Sequence, residues 1–203
     1  MAAAEQAIER IRVAIEQRVA QLPPGTLVLM GSFLADREGK TVVTSRFMEN
    51  ISAPPFWKAA LRANHLADDV PVDRWQICRF TPPSHVMIEV GVAHAGHGGV
   101  EAPAEHKVYS VVVDFITPET DTSMHYFWGM ARKFNPGDKA LTAQIREGQG
   151  KIFSEDLEML ERQQKNLSAF PERALLKLNI DTGGVQSRKV IERVIAAEQG
   201  ASA

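Results

Sequence analysis

The sequence predicts an α+β fold in which an antiparallel sheet carries helices on one side. Strand-like segments, either alternating in polarity or continuously apolar, fill most of residues 40–132. Helical spacing of apolar residues is strongest before residue 23 and after residue 137. The 203 residues correspond to about one domain, and a hydrophobic content of 44% is enough to build a core.

The chain opens with an amphipathic segment that predicts a helix. Apolar residues recur at spacings of three and four from Ile8 to Leu22, and Pro23 ends the pattern. The segment also carries acidic residues, which signal and transit peptides lack. Because no run of about 18 apolar residues occurs, we expect neither a spanning helix nor a membrane partner.

The next part of the chain predicts six strands and one short helix. Alternation is clearest where Val86, Ile88 and Val90 share one face of a strand. Pro54 and Pro55 open the short helix, since proline is tolerated in a first helical turn. The predicted strands are 26–35, 40–48, 72–80, 85–93, 107–116 and 123–131; the helix is 56–64, and 36–39 is a hairpin loop.

Helical spacing returns after Asn135. Leu141, Ile145 and Leu160 belong to one long or broken helix, and a last helix is predicted over 184–198. The order of elements places these helices on one side of a curved sheet.

Charge and cysteine content narrow the functional classes. The 23 basic and 25 acidic residues give a formal net charge of −2, which argues against a nucleic-acid partner held by bulk positive charge. The single cysteine, Cys78, excludes an intrachain disulfide, a zinc ribbon or an iron–sulfur cluster held by this chain alone. These observations favour a reducing cytoplasm as the compartment.

Asp156 is the first candidate for chemistry. Its neighbours three and four residues away on the predicted helix are all apolar: Ile152, Phe153, Met159 and Leu160. A carboxylate on an apolar face needs a partner, and a metal ion would provide one. The alternative, which the pattern favours, is that Ser154 caps a new helix and Asp156 lies in its first turn, where negative charge is stabilising.

His125 is the second candidate. It lies on a predicted strand among Met124, Phe127 and Trp128, where a neutral imidazole could hydrogen-bond a polar group of a ligand. The alternative is a core histidine bound to a backbone carbonyl, which the sequence alone favours.

Three further histidines look like a metal cluster. His94 and His97 would share a face only on a helix, and the nearby glycines argue against a helix. We therefore expect an exposed loop over 94–106, in which His94, His97 and His106 do not converge.

Five stretches of the sequence resemble the C-terminal catalytic domain of Rieske non-haem iron aromatic oxygenases, and within them the vanillate O-demethylase oxygenase-subunit group. The resemblance covers about residues 41–197 and keeps the family's order. The matching stretches are Ala53–Trp57, Asp69–Ile77, His125–Arg132, Phe153–Asp156 and Leu175–Val185.

The resemblance implies a helix-grip sheet whose concave face is crossed by the C-terminal helices. It also implies a mononuclear iron(II) held by two histidines and one carboxylate, with Asp156 at the position of the carboxylate. His125 matches a histidine that faces the aromatic substrate. The implied partners are an aromatic substrate, a reductase that donates electrons, and further copies of the chain in a ring-like homo-oligomer.

The sequence also departs from the family. The cysteine and histidine ligands of the Rieske [2Fe–2S] cluster are missing, and residues 1–40 contain none of the upstream histidines that bind the family's iron. We therefore divide the chain into residues 1–40, of unassigned origin, and a catalytic domain over 41–203. We expect Asp156 to point into the pocket on the side of His125, without a histidine pair and without stoichiometric iron.

The functional expectation is a catalytic domain of an aromatic-ether demethylating oxygenase that is inactive as this chain alone. Two alternatives stay open. The chain could be a module that binds a small aromatic ligand, or an assembly partner of a full-length oxygenase.

Overall fold

Six antiparallel strands form one sheet in chain order in the structure, a computed structural model that describes residues 30–35, 41–174, 176, 178 and 181–201. The predicted helix over 8–22 and the hairpin loop over 36–39 lie outside these residues. The strands are β1 (Met30–Ala35), β2 (Val42–Ile51), β3 (Val72–Thr81), β4 (His85–His94), β5 (Lys107–Pro118) and β6 (Met124–Arg132).

The register of the sheet confirms the predicted antiparallel arrangement. Each strand pairs with the next one along the chain, so that Gln76 lies opposite Val90 and Val112 lies opposite Met130. The predicted neighbours 107–116 and 123–131 are adjacent as β5 and β6. Because side chains alternate across a strand, this register assigns the residues of β3, β4, β5 and β6 to one of two faces of the sheet.

Three helices follow from the predicted segments: α1 (Pro55–Ala63), α2 (Lys139–Ala169) and α3 (Thr182–Ala201). The side chain of Asp138 caps α2 by accepting a hydrogen bond from the Leu141 backbone N–H at 2.9 Å. The helix then continues without a break through Ser154, whose hydroxyl donates to the Gly150 carbonyl at 2.8 Å. The interpretation of Ser154 as the cap of a new helix is therefore wrong. No helix in the described ranges is long and apolar enough to cross a membrane.

The main core lies between α1 and one face of the sheet, which we call the inner face. Leu61 of α1 and Val72 of β3 have no exposed surface, and Val92 and Val108 continue the same cluster on β4 and β5. Trp57 adds its ring to this cluster. Burial of these side chains holds α1 on the sheet, at about 1.5–3 kcal/mol for each large apolar side chain.

A smaller cluster covers part of the opposite, outer face. Trp75, Ala93 and Ala102 are buried together, with Tyr109 and Val100 packed against them. The connection between β4 and β5 contains two short 3-10 turns, Gly99–Glu101 and Ala104–His106. This connection covers one end of the outer face, while Met87 and Phe115 further along β4 and β5 are exposed.

Candidate functional site

A cavity of about 610 Å³ lies between the inner face of the sheet and helices α1 and α2. Small-molecule sites are typically concave, mostly apolar and furnished with a few polar groups, and this cavity has that composition. Its apolar lining includes Phe56, Trp57, Ile88, Val90, Val112, Met130, Phe134, Ile145, Ile152 and Phe153, and its polar lining consists of Arg74, Gln76, Asp114, Tyr126, Gln144 and Gln149.

The polar groups of the sheet reach the cavity because of strand alternation. Arg74 and Gln76 are two residues apart on β3 and therefore share its inner face. Asp114 has the same parity as Val112 on β5, and Tyr126 has the same parity as Met130 on β6. The sheet thus supplies a cation, an amide, a carboxyl group and a phenol to one concave surface.

Asp114 and Tyr126 form a buried polar pair. Asp114 is only 4% exposed, and the Tyr126 hydroxyl donates a hydrogen bond to its carboxyl group. Burial raises the pKa of Asp114 by more than this hydrogen bond lowers it. The pKa of Tyr126 is raised by burial, by its hydrogen bond to Asp114, and by the negative charges of Asp114 and Asp156.

Aromatic contacts attach α2 to the strand that carries this pair. The ring of Phe153 lies 5.4 Å from the ring of Tyr126 at an interplanar angle of 84°, and 5.4 Å from the ring of Trp128 at 64°. Both arrangements are edge-to-face, which is favourable for aromatic rings. Phe153 therefore bounds the cavity and limits the movement of Tyr126.

Arg74 brings a positive charge to the lining of the cavity. Its Nε is buried and has no hydrogen-bond partner in the described part of the chain. Burial, and then the nearby charge of Arg46, lower the pKa of Arg74. The guanidinium remains charged at neutral pH, so that this part of the cavity favours an anion.

Asp114→Asn is expected to melt at a higher temperature than the unchanged chain at about pH 7, and at the same temperature near pH 3. Because burial raises the pKa of Asp114 in the folded state, the folded chain keeps a proton that the unfolded chain has released. The folded chain therefore loses stability as the pH rises from the pKa that Asp114 has in the unfolded chain to the raised pKa that it has in the folded chain. An asparagine carbonyl can still accept from Tyr126 and carries no such loss. Thermal melts across this pH range test the sign, and an equal destabilisation at every pH contradicts it.

The structure does not place His125 and Asp156 as expected. His125 alternates with the inward Tyr126, is 57% exposed, and its Nε2 lies 3.6 Å from Oε1 of Glu119. Asp156 is exposed on α2. Among the described residues of that helix, Ile145 is the one that is buried. Neither side chain lines the cavity, so the expectation that both face the pocket from one side is wrong. Asp156 is nevertheless close enough to Tyr126 for its charge to act on the phenol.

The described residues do not fit the iron(II) site that the resemblance implies. Such a site needs two histidines and a carboxylate, with open positions for oxygen. Within the described ranges, no group of three or more histidine, cysteine or acidic side chains could hold a metal ion. No histidine lines the cavity, and Asp156 is a single exposed carboxylate. We assign no step of a reaction to iron held by this chain.

The three histidine rings of the β4–β5 connection lie near one another, although within the described residues they form no group that could hold a metal ion. The Nδ1 atoms of His94 and His106 are 3.5 Å apart, and the rings of His97 and His106 stack at 3.7 Å. His94 ends β4 and His106 precedes β5, so the antiparallel pairing of Ala93 with Lys107 brings them side by side. Nε2 of His94 is 2.9 Å from the Ala67 carbonyl oxygen, which anchors the ring.

The sequence interpretation missed the polar lining of the cavity. Asp114 carries the same signal that singled out Asp156, an acid on an apolar face, because it shares parity with Val108 and Val112. Arg74 and Tyr126 have a weaker signal: their strands are partly polar on both faces. Only the tertiary packing of α1 and α2 shows which face is covered.

Comparison with known proteins identifies relatives over most of the chain. Residues 33–197 match the family described as Vanillate O-demethylase oxygenase C-terminal domain. The chain is 74% identical over 166 residues to the vanillate O-demethylase oxygenase subunit of Pseudomonas sp. (strain ATCC 19151), covering 82% of this chain and 50% of that protein. It is 37% identical over 135 residues to the toluene-4-sulfonate monooxygenase system iron-sulfur subunit TsaM1 of Comamonas testosteroni, covering 64% of this chain and 38% of that protein. The chain therefore spans about half the length of the most similar of these curated relatives.

Solved structures support the fold. Dicamba monooxygenase bound to 3,6-dichlorosalicylic acid matches with a TM-score of 0.71 at 21% identity, covering 84% of this chain and 48% of that chain. The same enzyme with non-heme iron and dicamba matches with a TM-score of 0.70 at 21% identity, covering 84% and 50%. The predicted α+β sheet with C-terminal helices is thereby confirmed.

Proposed function

Because the chain belongs to the vanillate O-demethylase oxygenase C-terminal domain family of Rieske non-haem iron oxygenases, we propose that its cavity is the substrate pocket of an oxygenase that demethylates an aromatic acid. The observation that carries this proposal is an apolar cavity lined by a cation, Arg74, whose buried Nε has no hydrogen-bond partner among the described residues. An aromatic ring matches the apolar walls, and a ring carboxylate matches the guanidinium. The volume of about 610 Å³ lies within the usual range for small-molecule pockets.

The contribution of this chain to that reaction is to bind and orient the substrate. Iron(II) would activate oxygen in the complete oxygenase, and a [2Fe–2S] cluster and a reductase would supply electrons. We place this system in the cytoplasm and expect a ring-like homo-oligomer. Asp156 remains our predicted iron carboxylate, and His125 our predicted substrate contact. Both roles stay predictions from the resemblance, because neither side chain lines the cavity in the described part of the chain.

The division of the chain is also part of this proposal. The predicted catalytic domain over residues 41–203 is extended to include residues 33–40, where the family match begins, and a separate origin is proposed only for the part of residues 1–40 that precedes the match. The described residues that line the cavity all lie at Pro54 or after it, which supports a binding function for the later part of the chain.

A second candidate is a binding module for small aromatic acids that performs no oxidation. The specific observation in its favour is that the cavity is lined by polar groups suited to binding and by no histidine. The two candidates share the pocket and differ in chemistry, so one series of measurements separates them.

The binding step is tested with the metal-free chain and 3-methoxybenzoate, followed by tryptophan fluorescence. We expect a saturable change that comes mainly from Trp57, which lines the cavity, and that Trp57→Phe removes most of it. The neutral methyl ester, a matched control, should bind at least about tenfold more weakly because it lacks the charge that pairs with Arg74. The absence of saturable binding by the acid contradicts the proposed pocket.

The same preparation tests the chemistry. With oxygen and a reductase present, we expect no formaldehyde from this chain alone, because its described residues do not complete an iron site. Formaldehyde released in proportion to the chain would contradict that expectation and exclude the pure binding module.

A further inference from the structure

A second cavity, of about 450 Å³, lies where the start of β5 and the residues after β6 meet the end of α1. We call it the lysine cleft, and its polar lining consists of Asn64, Lys107, Tyr109 and Lys133. None of the described residues that line it is acidic. Phe134, which is 3% exposed, is the one described residue that lines both this cleft and the inner-face cavity. The two cavities are therefore separate sites with one wall in common.

The register of the sheet brings two lysines to one aromatic ring. Lys107 and Tyr109 are two residues apart on β5 and share its outer face. Because Ser110 pairs with Arg132, the next residue, Lys133, lies across from Tyr109. The Nζ atoms of both lysines lie 5.6 Å from the centre of the Tyr109 ring, at a distance where a cation is attracted to the ring. The two nitrogen atoms are thus no farther apart than twice that distance.

The charges of these two lysines are not neutralised by the protein. Neither ammonium group forms an ion pair with a carboxylate in the described part of the chain. Nζ of Lys107 donates a hydrogen bond to the Val100 carbonyl oxygen at 2.5 Å, which uses one of its three N–H groups. Two like charges held at one ring repel each other. An anion that contacts both ammonium groups would replace this repulsion with attraction.

The remaining lining of the cleft fits an organic phosphate. The Asn64 amide donates to the Ala60 carbonyl oxygen at 2.8 Å and keeps a second N–H for a ligand. A phosphate monoester has a second pKa of about 6 and is mainly a dianion at neutral pH, so its charge matches two ammonium groups. An organic group on the ester would contact the apolar walls of the cleft, which are Ala102, Ala104, Val108 and Phe134.

We propose that the lysine cleft is a second ligand site, which binds a small phosphate monoester with its phosphate group between Lys107 and Lys133. The volume of the cleft lies within the usual range for small-molecule sites. This site is independent of the proposed substrate pocket, because neither lysine lines the inner-face cavity.

The test is a calorimetric titration of the full chain with phenyl phosphate at about pH 7.5 and low ionic strength. We expect saturable binding of one molecule per chain. Lys107→Gln and Lys133→Gln should each weaken this binding at least about fivefold, because each removes a charge-assisted hydrogen bond. Methyl phenyl phosphate, a diester with the same ring and a single negative charge, should also bind at least about fivefold more weakly than phenyl phosphate.

Matched variants keep the test specific to this cleft. Lys165 is an exposed lysine of α2 that lines neither cavity, and Lys165→Gln should change the affinity less than about twofold. Lys107→Arg and Lys133→Arg keep the charge and should retain most of the affinity. Thermal melts of all variants verify that the losses in affinity do not come from unfolding.

Three results would overturn the inference. The first is the absence of saturable binding of phenyl phosphate, which leaves the proposed substrate pocket unaffected. The second is an equal loss of affinity in Lys165→Gln, or equal affinities for the monoester and the diester, since binding would then not depend on two charges in this cleft. The third is a loss in Arg74→Gln as large as in the lysine variants, since the phosphate would then occupy the inner-face cavity.

Discussion

Arg74→Gln is expected to weaken the binding of an aromatic carboxylate by at least about tenfold, and by up to about a hundredfold. The Arg74 side chain is half-buried with its Nε fully buried, and it lines a mostly apolar cavity, where a charge-assisted hydrogen bond is stronger than at the open surface. Glutamine retains a hydrogen-bond donor and much of the length of the arginine side chain, so the loss of affinity comes mainly from the loss of the positive charge. Arg74→Lys should give an intermediate affinity because an ammonium keeps the charge without the two-pronged geometry. Calorimetric titration of 3-methoxybenzoate provides the measurement.

Arg79→Gln is the matched control for this result. Arg79 lies on the same strand but on the outer face, where its guanidinium is 3.7 Å from the Glu89 carboxylate. Its removal should leave the dissociation constant unchanged within about twofold, as expected for an exposed ion pair far from the cavity. Equal losses in the two variants would mean that the cavity does not hold the carboxylate at Arg74.

Gly91→Ala is expected to destabilise the fold by about 3 kcal/mol, at the upper end of the usual cost of overpacking. A Cβ atom at this position would lie 2.3 Å from Cζ2 of Trp75 and 2.7 Å from Cβ of Tyr109. The Trp75 ring is only 1% exposed and is enclosed by Ala93 and Ala102, so it cannot move aside without opening the outer cluster. Thermal or denaturant unfolding checks this prediction.

Gly129→Ala supplies the comparison for Gly91. Both glycines lie within strands, but a Cβ at Gly129 would meet only Cγ2 of Val113, at 3.4 Å. This substitution should be neutral or slightly stabilising, because alanine loses less backbone entropy than glycine on folding. If both variants lose the same stability, the predicted clash between a Cβ atom at position 91 and the Trp75 ring is wrong.

The sheet could be predicted from the sequence because its signal is local. The alternation of Val86, Ile88 and Val90 identifies β4, and Pro82 and Pro83 separate it from β3. Antiparallel neighbours joined by short connections then follow from general rules of chain topology. The helices could be predicted from the sequence equally well, except that α2 continues through Ser154, where a cap was expected.

The side chains of the site could be predicted only in part, because burial depends on distant elements. The apolar neighbours of Asp156 suggested a covered helix face. In the structure, α2 contacts β6 through Phe153, and Asp156 itself is exposed. Asp114 is buried in the structure, but part of the cover over its face of the sheet comes from α2, which follows it in the chain. Parity along β5 could have identified its face, but not the cavity.

The positions of His94, His97 and His106 could have been predicted in part from the predicted sheet. Loop residues between His94 and His106 indicated an irregular connection, which is correct. The two ends of that connection must nevertheless meet, because β4 and β5 are paired up to Ala93 and Lys107. Distance along the chain was therefore a poor guide to the separation of these rings.

Occupation of the inner-face cavity by an aromatic acid can be followed through the indole N–H signals of the protein. Trp57 lines the cavity, whereas Trp75 is buried in the outer cluster on the other side of the sheet. In an NMR titration of the nitrogen-labelled chain with 3-methoxybenzoate, we expect a saturable shift of the Trp57 signal and an unchanged Trp75 signal. A shift of Trp75 with Trp57 unmoved, or no saturable shift of either signal, would contradict it.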